Sequence, residues 1–521
     1  MKKQLVMIMT DTQRWDMCSC YKETGLKTPC IDALAEEGVR YERAYTAQPV
    51  CGPARSALFT GLFPACNGSF GNSVALGDNV KTVGQRLHDN GFRCAYIGKW
   101  HLDGCDYFGN GICPDGWKED YWYDMRRYLE EMTDDERAMS RMTQTMDLTQ
   151  IDESFTYGSR VAKKALDFME RYKDEDYFLV VSFDEPHFPF LCPPPYDRMY
   201  RDYDFPKTPS VYDTLEGKPD YQKVWAAERL NPDRDAVRIH NPYFFGCNSF
   251  VDELIGRVAE KVPQDAGIIY TSDHGDLLQS HCLFAKGPAA YEEVARVPLI
   301  IRLPDGQKGV YSAGPVSHIA ITPTILDFFG VKQPAQLHGR SLLPTVRDLN
   351  AETDPYAFVE FTRFELDHDH YGGFQPMRAI TDKRYKLSVN LMSSDEFYDL
   401  EKDPYELHNL IDDPAYAAER DRLHDALLAR MDNDRDPFRG YYWESRPWRK
   451  DAPARSWRYH GWTRQRENEE YEPRQLDFVN GLPMVHPQRV KVSTGDMKFE
   501  SVEQMVEYLR HYDDDTNVHE K

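Results

Sequence analysis

The sequence predicts an α/β fold: a large domain on a mainly parallel, mixed sheet sandwiched by helices, and a small C-terminal α+β domain with an antiparallel sheet. Two observations predict it. Apolar runs of strand length alternate with stretches whose apolar residues recur at helical spacing, the arrangement of strand–helix units that wind a parallel sheet. The runs are also nearly free of polar residues, as strands covered on both faces must be. A third observation concerns chemistry: each run stops at a reactive type of side chain.

In chain order, LVMIMTD is a strand ending at Asp11. TPCIDALAEEGVRY is an amphipathic helix that Gly38 stops, and CGPARSALFTG is a short helix with Pro53 in its first turn and Gly61 at its exit. KTVGQRLHDNG is a helix closed by Gly91, and it leads into CAYIGKWH, which ends at Lys99 and His101. YFLVVSFDEPH stops at His187 and GIIYTSDH at Asp273 and His274. In such sheets ligands collect beyond the carboxyl ends of the strands, where all these polar residues fall. From about Tyr385 the texture changes to RYKLSVNL, EFYDLEKDPYELHNL and the helix AAERDRLHDALLARMD. We place a catalytic domain at 1–375, the small domain at 376–436 and an extended tail packed on the body at 437–521, with FESVEQMVEYLRHY as an amphipathic helix inside it.

A chain of 521 residues, 41% of them hydrophobic, is long enough to bury the core of a large domain and a smaller one. The net charge of −23 argues against nucleic acid, long polyanions and anionic membranes as partners, so an anionic substrate needs a local cluster of cations. No apolar run reaches the length of a membrane span, and LVMIM is too short for a signal-peptide core. A cytoplasmic location is the expectation, or a periplasmic or secreted one if a leader has been removed. Eleven cysteines, odd in number, scattered and without a CxxC pair, favour reduced thiols over a disulfide framework or a zinc site. Oligomeric state is left open.

Packing does not explain Cys51. At the head of a short helix it meets unpaired backbone N–H groups and the positive end of the helix dipole, which favour an anion, and Arg55, about one turn on, can point back toward residue 51. Taken alone, CxPxR is more often a buried thiol beside a surface arginine. A cysteine-phosphatase reading fails on spacing, because the arginine of that chemistry falls where this chain has Ala57.

CxPxR followed by SALFTG resembles the signature of type I sulfatases of the alkaline phosphatase superfamily, in which a separate enzyme oxidises the cysteine to formylglycine. MTDTQ, TPCIDALAEEGVRYERAYT, GFRCAYIGKWHL, FDEPHFPF, TSDHGD, LFAKGP, ITPTILDFFG and FYDLEKDPYELHNL resemble the same family, in order, over nearly the full length. GKWHLDGCDYFG, FDEPHFPF and DPFRGYYW are most similar to its YidJ-type bacterial members. The resemblance implies an alkaline-phosphatase-like fold and a sulfuric ester hydrolase. The partners it implies are a small sulfated substrate and a formylglycine-generating or anaerobic sulfatase-maturating enzyme.

Cleaving a sulfate monoester requires a strong nucleophile, neutralised nonbridging oxygens and a protonated leaving group. A thiolate would end in a sulfur–sulfur adduct without an easy exit, whereas a hydrated aldehyde has one hydroxyl to attack with and a second to expel sulfate. A hard divalent cation on oxygen ligands makes that hydrate acidic. Asp11 and Asp273 are its best ligands; by resemblance His274 and residue 51 join them. Relatives usually have a second carboxylate or a glutamine where this chain has Thr12, which leaves one place to Thr12, water, Gln13 or another carboxylate. Calcium is the first choice, with magnesium or manganese as alternatives, because oxygen ligands alone do not decide between them.

The resemblance makes Cys51, Arg55, Lys99, His101, His187 and Lys286 the catalytic set. Lys99 and His101 resemble the pair holding sulfate oxygens and the formylglycine hydroxyl, Lys286 the lysine on sulfate and the leaving oxygen, and His187 the histidine that protonates the departing alcohol. By resemblance to carbohydrate sulfatases, Asp103, Tyr107 and Phe108 after GKWH and His368, His370 and Arg378 lie where the pocket rim forms, some of them to bind a sugar hydroxyl or carboxylate, and the acidic surface favours a small sulfated mono- or disaccharide. Each residue alone has a plainer reading, since strand-end histidines are often just packed and aspartates often cap helices. Their joint occurrence in order carries the assignment. Two other functions are a phosphonate or phosphodiester hydrolase on the same scaffold and a non-catalytic binding protein; neither explains GKWH together with Asp11, Asp273 and Cys51.

Overall fold

The computed structural model of the chain describes residues 2–104, 107–141, 151–227, 231, 233–365, 373–453, 501, 503–504 and 507. The chain divides into two compact units, Met1–Gln333 with Leu337–Ile411, and Pro334–Gln336 with Asp412–Lys521.

The strands of the first unit are β1 (Gln4–Thr10), β2 (Val39–Tyr41), β3 (Ala44–Tyr45), β4 (Arg93–Gly98), β5 (Tyr177–Ser182), β6 (Gly267–Ser272), β7 (Arg296–Val297), β8 (Leu299–Arg302), β9 (Gly309–Tyr311), β10 (Val316–Ser317), β11 (Ala357–Arg363), β12 (Phe374–Thr381), β13 (Tyr385–Asn390) and β14 (Glu396–Asp399). The main sheet runs β4-β5-β1-β6-β8-β2-β9. β4, β5, β1 and β6 are parallel neighbours, β8 is antiparallel to β6 and β2, and β9 is parallel to β2, so the sheet is mixed and mainly parallel as expected.

Alternation along the central strands feeds two cores. Val6, Ile8, Ala95, Ile97, Leu179, Val181 and Ile268 face one side with the helices Pro29–Glu37 (α1), Tyr157–Arg171 and Pro242–Ala259. Leu5, Met7, Met9, Tyr96, Phe178, Val180 and Ile269 face the other with Cys51–Thr60 (α2), Val83–Asp89 and Ile321–Phe329. Each fully buried aliphatic or aromatic side chain contributes about 1.5–3 kcal/mol, which is why these strands read as unbroken apolar runs. α1 stops at Gly38, and Gly61 leaves α2 at φ 69°.

A four-stranded antiparallel sheet, β11-β12-β13-β14, belongs to the same compact unit and begins upstream of residue 376. Its apolar face, with Ala357, Val359, Phe361, Met377 and Ala379, packs on Tyr45, Val50, Ala290 and Ala295. The Glu360 N–H donates to the Ala47 carbonyl at 2.7 Å, so this sheet braces the segment that enters α2.

The second unit contains the helix Ala417–Asn433 and a short helix Tyr441–Glu444, joined where His424 Nε2 lies 2.8 Å from the Trp443 carbonyl. Most of the expected tail, including most of FESVEQMVEYLRHY, lies outside the described residues. No described helix is long and apolar enough to cross a membrane, and the ten described cysteines are all free.

Candidate active site

Parallel register brings the polar strand ends together. Thr10 pairs with Ser272 and Gly98 with Ser182, so Asp11, Asp273 and Lys99 each emerge one residue beyond the ladder. Gly98 has φ 122°, and a Cβ there would stand 1.9 Å from the Ser182 carbonyl oxygen. Only glycine lets the chain turn Lys99 inward at that point.

α2 is buried over its whole length and delivers Cys51 from the opposite side. The Gly52 N–H, one of the donors a helix start leaves open, is taken by Asn72 Oδ1 at 3.0 Å. Cys51 Sγ lies 2.6 Å from Lys286 Nζ, 3.2 Å from His274 Nε2 and 3.5 Å from Asp11 Oδ1. Burial and Asp11 oppose ionisation of the thiol, yet Lys286, Lys99 and His274 hold it well below its ordinary range.

Arg55 does not reach back to residue 51. Its Nε donates to Asp273 Oδ2 at 3.1 Å, one terminal nitrogen to Asp11 Oδ2 at 3.0 Å, and the other to the Lys99 carbonyl at 2.6 Å and Ser182 Oγ at 2.9 Å. It thereby holds two buried carboxylates side by side. Lys99 Nζ adds contacts of 2.8 Å to Asp11 Oδ2 and 3.0 Å to Asp184 Oδ1. Burial would raise the Asp11 carboxyl, but Lys99, His187, Lys286 and Arg55 outweigh it and hold it well below the carboxylate range. Asp273 goes the other way: burial and Asp11 push it up to about 7 against His274 and Arg55.

Asp11, Cys51, Asp273 and His274 each turn a ligand atom to one point, all within 4.8 Å of one another and all buried. His274 Nδ1 lies 2.7 Å from the Gly275 carbonyl, the contact of a donated N–H, so Nε2 faces the cluster; burial opposes the charged ring, but Asp273 and Cys51 hold its pKa above the ordinary value, and Nε2 offers a lone pair once its proton is lost. A donor set of two carboxylates and an imidazole fits a divalent cation. Thr12, at φ 64°, supports this set: its hydroxyl donates to Asp11 Oδ1 at 2.7 Å and its N–H to Asp273 Oδ1 at 3.1 Å. Gln13 turns away, its amide oxygen accepting from the Thr10 and Tyr270 hydroxyls and its amide nitrogen donating to Asn248 Oδ1.

His101, at φ 60°, is buried beside Cys51, and burial pushes its pKa down, which favours the neutral ring. His187 lies toward the opening. Its Nε2 is 3.4 Å from Lys286 Nζ, and its Nδ1 is 2.7 Å from the Phe188 carbonyl and 3.2 Å from the Tyr107 hydroxyl. The same hydroxyl donates to Asp184 Oδ2. Tyr107 belongs to the loop expected to position substrate, whereas Asp184 has no role in the sequence reading, although FDEPH places it just past a strand end, the same signal that singles out Asp11 and Asp273.

The expected pocket rim comes out differently. Asp103 Oδ2 accepts from the Asn110 N–H at 2.9 Å and closes a loop. Arg378 does not line a pocket: it is 3% exposed on β12, donates to the Phe361 and Met377 carbonyls and pairs with Glu360 at 3.5 Å. Its place in a strand with two covered faces keeps it from solvent. His368 and His370 lie outside the described residues.

A mixed α/β sheet whose strand ends gather two carboxylates, a histidine, two lysines and a helix-start cysteine defines a hydrolase of the alkaline phosphatase superfamily. The sulfatase family model matches residues 3–331, and the model of the N-sulphoglucosamine sulphohydrolase C-terminal region matches 280–433. The chain belongs to the sulfatase family and is a sulfuric ester hydrolase. Over 96% of its length it is 42% identical to the uncharacterized sulfatase YidJ of Escherichia coli (strain K12), whose full length it covers. The fold is shared with a protein solved in complex with its substrate D-glucosamine-2-N,6-O-disulfate (TM-score 0.68, 23% identity, 84% of this chain and 100% of that one). It is also shared with the phosphonate monoester hydrolase of Agrobacterium radiobacter (TM-score 0.65, 21% identity, 82% and 95%).

Proposed function

We propose that this enzyme releases sulfate from a small sulfated carbohydrate, with formylglycine made from Cys51 as nucleophile and a divalent cation, calcium before magnesium or manganese, at Asp11, Asp273 and His274. One observation carries the reading: the side chain of Cys51 stands within 3.5 Å of Asp11, His274 and Lys286 together. Hydrated formylglycine would supply one hydroxyl to attack sulfur as the alcohol leaves and a second whose loss of a proton expels sulfate and restores the aldehyde; a cation held there would lower the proton affinity of the first.

The remaining work falls to the chain's own side chains. Lys99 and Lys286 approach residue 51 from two sides and neutralise the oxygens on which charge develops. Arg55, with all three nitrogens engaged by the carboxylates, Ser182 and the Lys99 carbonyl, fixes the ligands and touches no substrate. His187 supplies the proton for the leaving oxygen from Nε2, while its Nδ1–H is held by the Phe188 carbonyl. That role requires the imidazolium, in which both nitrogens carry protons.

Cys51 is 1% exposed, so a formylglycine-generating or anaerobic maturating enzyme would act before α2 is closed into the fold. The test is expression with and without such an enzyme, mass spectrometry of the tryptic peptide Ala44–Arg55, and sulfate release from defined sulfated sugars. Activity that tracks the modified fraction supports the proposal; full activity from unmodified Cys51 overturns it. The shared scaffold with a phosphonate monoester hydrolase favours one second reading. Rates on matched sulfate and phosphonate esters decide between them, with sulfate expected to be faster.

A further inference from the structure

The mouth of the site carries a cation that sulfate cleavage does not use. Arg141 ends the helix Asp134–Arg141. Its guanidinium carbon lies 5.1 Å from the ring centre of Phe108, 5.2 Å from Tyr107 and 5.8 Å from Phe188. Its polar contact is a weak one, to Met125 Sδ at 3.9 Å, and among the described residues no carboxylate pairs with it. That is unusual in a chain with 86 acidic side chains, where the site's other arginine, Arg55, binds two.

Two of the three rings belong to the site. Tyr107 stacks on His187 with ring centres 5.1 Å apart and has Lys99 Nζ 4.1 Å from its own centre. Phe188 follows His187 directly and is 43% exposed. One aromatic ring therefore separates Arg141 from the lysine that faces the sulfuryl group and from the histidine that protonates the leaving oxygen. A leaving group departing past His187 passes this guanidinium.

We propose that Arg141 binds a second oxyanion, a carboxylate or a second sulfate, on the leaving-group part of the substrate, so that the preferred substrate is a sugar with two anionic groups. The inference rests on the carbohydrate sulfatase reading above. A planar guanidinium matches either anion through two parallel N–H donors. The three rings hold it in place, and among the described residues its one polar contact is the weak one to Met125, so little side-chain freedom is lost on binding. With no carboxylate partner among the described residues, Arg141 breaks none of their ion pairs to receive the anion.

The test compares matured wild-type enzyme with Arg141→Gln and Arg141→Lys on a neutral monosulfated hexose, a monosulfated uronic acid and a disulfated hexosamine. Wild type is expected to favour at least one doubly charged sugar in kcat/KM by on the order of 10- to 100-fold, mainly through KM. Arg141→Gln brings that ratio close to one, and Arg141→Lys keeps part of it. Whichever doubly charged sugar leads separates carboxylate from sulfate. An unchanged ratio in Arg141→Gln overturns the inference, as does an equal fall on all three sugars with a lowered Tm, the mark of a packing role. Wild-type activity without preference for either doubly charged sugar overturns this inference alone; no activity on any of the three overturns the carbohydrate reading with it.

Discussion

Lys286 places its ammonium nitrogen 2.6 Å from the sulfur of Cys51. The same nitrogen is 3.4 Å from His187 Nε2, so one cation stands between the nucleophile's position and the group that protonates the leaving oxygen. Such a group meets the charge that moves from one to the other in the transition state. Lys286→Ala in matured enzyme is expected to lower kcat by roughly 100- to 1000-fold with a smaller change in KM. Steady-state kinetics on a sulfate ester check it, and a variant whose only defect is a raised KM would show that Lys286 serves ground-state binding.

Arg55 is the counter-charge that lets Asp11 and Asp273 share a dry site. Removing one partner from a buried ion-paired cluster typically destabilises by about 3–5 kcal/mol, because the charges left behind stay desolvated. Arg55→Ala is expected to lose stability of that order, and a divalent cation is expected to restore more of it than it adds to wild type. Denaturation with and without added calcium after chelation measures both. Equal calcium gains in wild type and variant would show that Arg55 does not hold the ligand carboxylates.

Chelation is expected to abolish activity and to lower thermal stability, and the pH dependence of re-binding has a defined sign. Without a cation, Asp273 titrates at about 7, and a carboxylate ligates only when deprotonated. Below about pH 7 each metal bound therefore releases a proton from Asp273 and, because the His274 pKa is also raised, a second from that ring, and apparent affinity falls with pH by up to about tenfold per unit for each proton. Calorimetric titration at pH 6 and 8, in buffers of different ionisation heat, reads the proton count directly. No proton release at pH 6 would place Asp273 outside the ligand set.

The strand ends were legible because strands covered on both faces contain almost nothing polar, so the first charged residue after each apolar run stands out. What linear spacing misjudged was direction. One helical turn from Cys51 suggests that Arg55 points back to it, yet two carboxylates at strand ends far away in sequence attract the guanidinium more strongly. Arg378 was misread for a related reason: the turn-forming stretch before it suggests a rim, but Glu360 on the neighbouring strand draws it inside the sheet. The Arg141 cage was not legible at all, since its three rings come from two separate segments, one carrying Tyr107 and Phe108 and the other Phe188.

Glu185 gives a stability prediction separate from catalysis. Its Oε1 accepts from the Gly158 N–H at 3.0 Å at the start of the helix Tyr157–Arg171, while Oε2 is buried with no hydrogen-bond partner among the described residues. Burial, reinforced by Asp184, pushes its carboxyl up from 4.5 to about 7 in the folded chain. Between those two values the folded state keeps a proton that the unfolded chain has released, so stability falls as pH rises through this window. The loss is about 3 kcal/mol at most, from the size of the shift. Glu185→Gln keeps an acceptor for Gly158 and has no charge to bury. At pH 8 the variant should exceed wild type in unfolding free energy by up to that amount, and at pH 4.5 the advantage should be gone. Urea denaturation at the two pH values tests this, and an advantage that does not change with pH would mean that Glu185 is already ionised in the fold at neutrality.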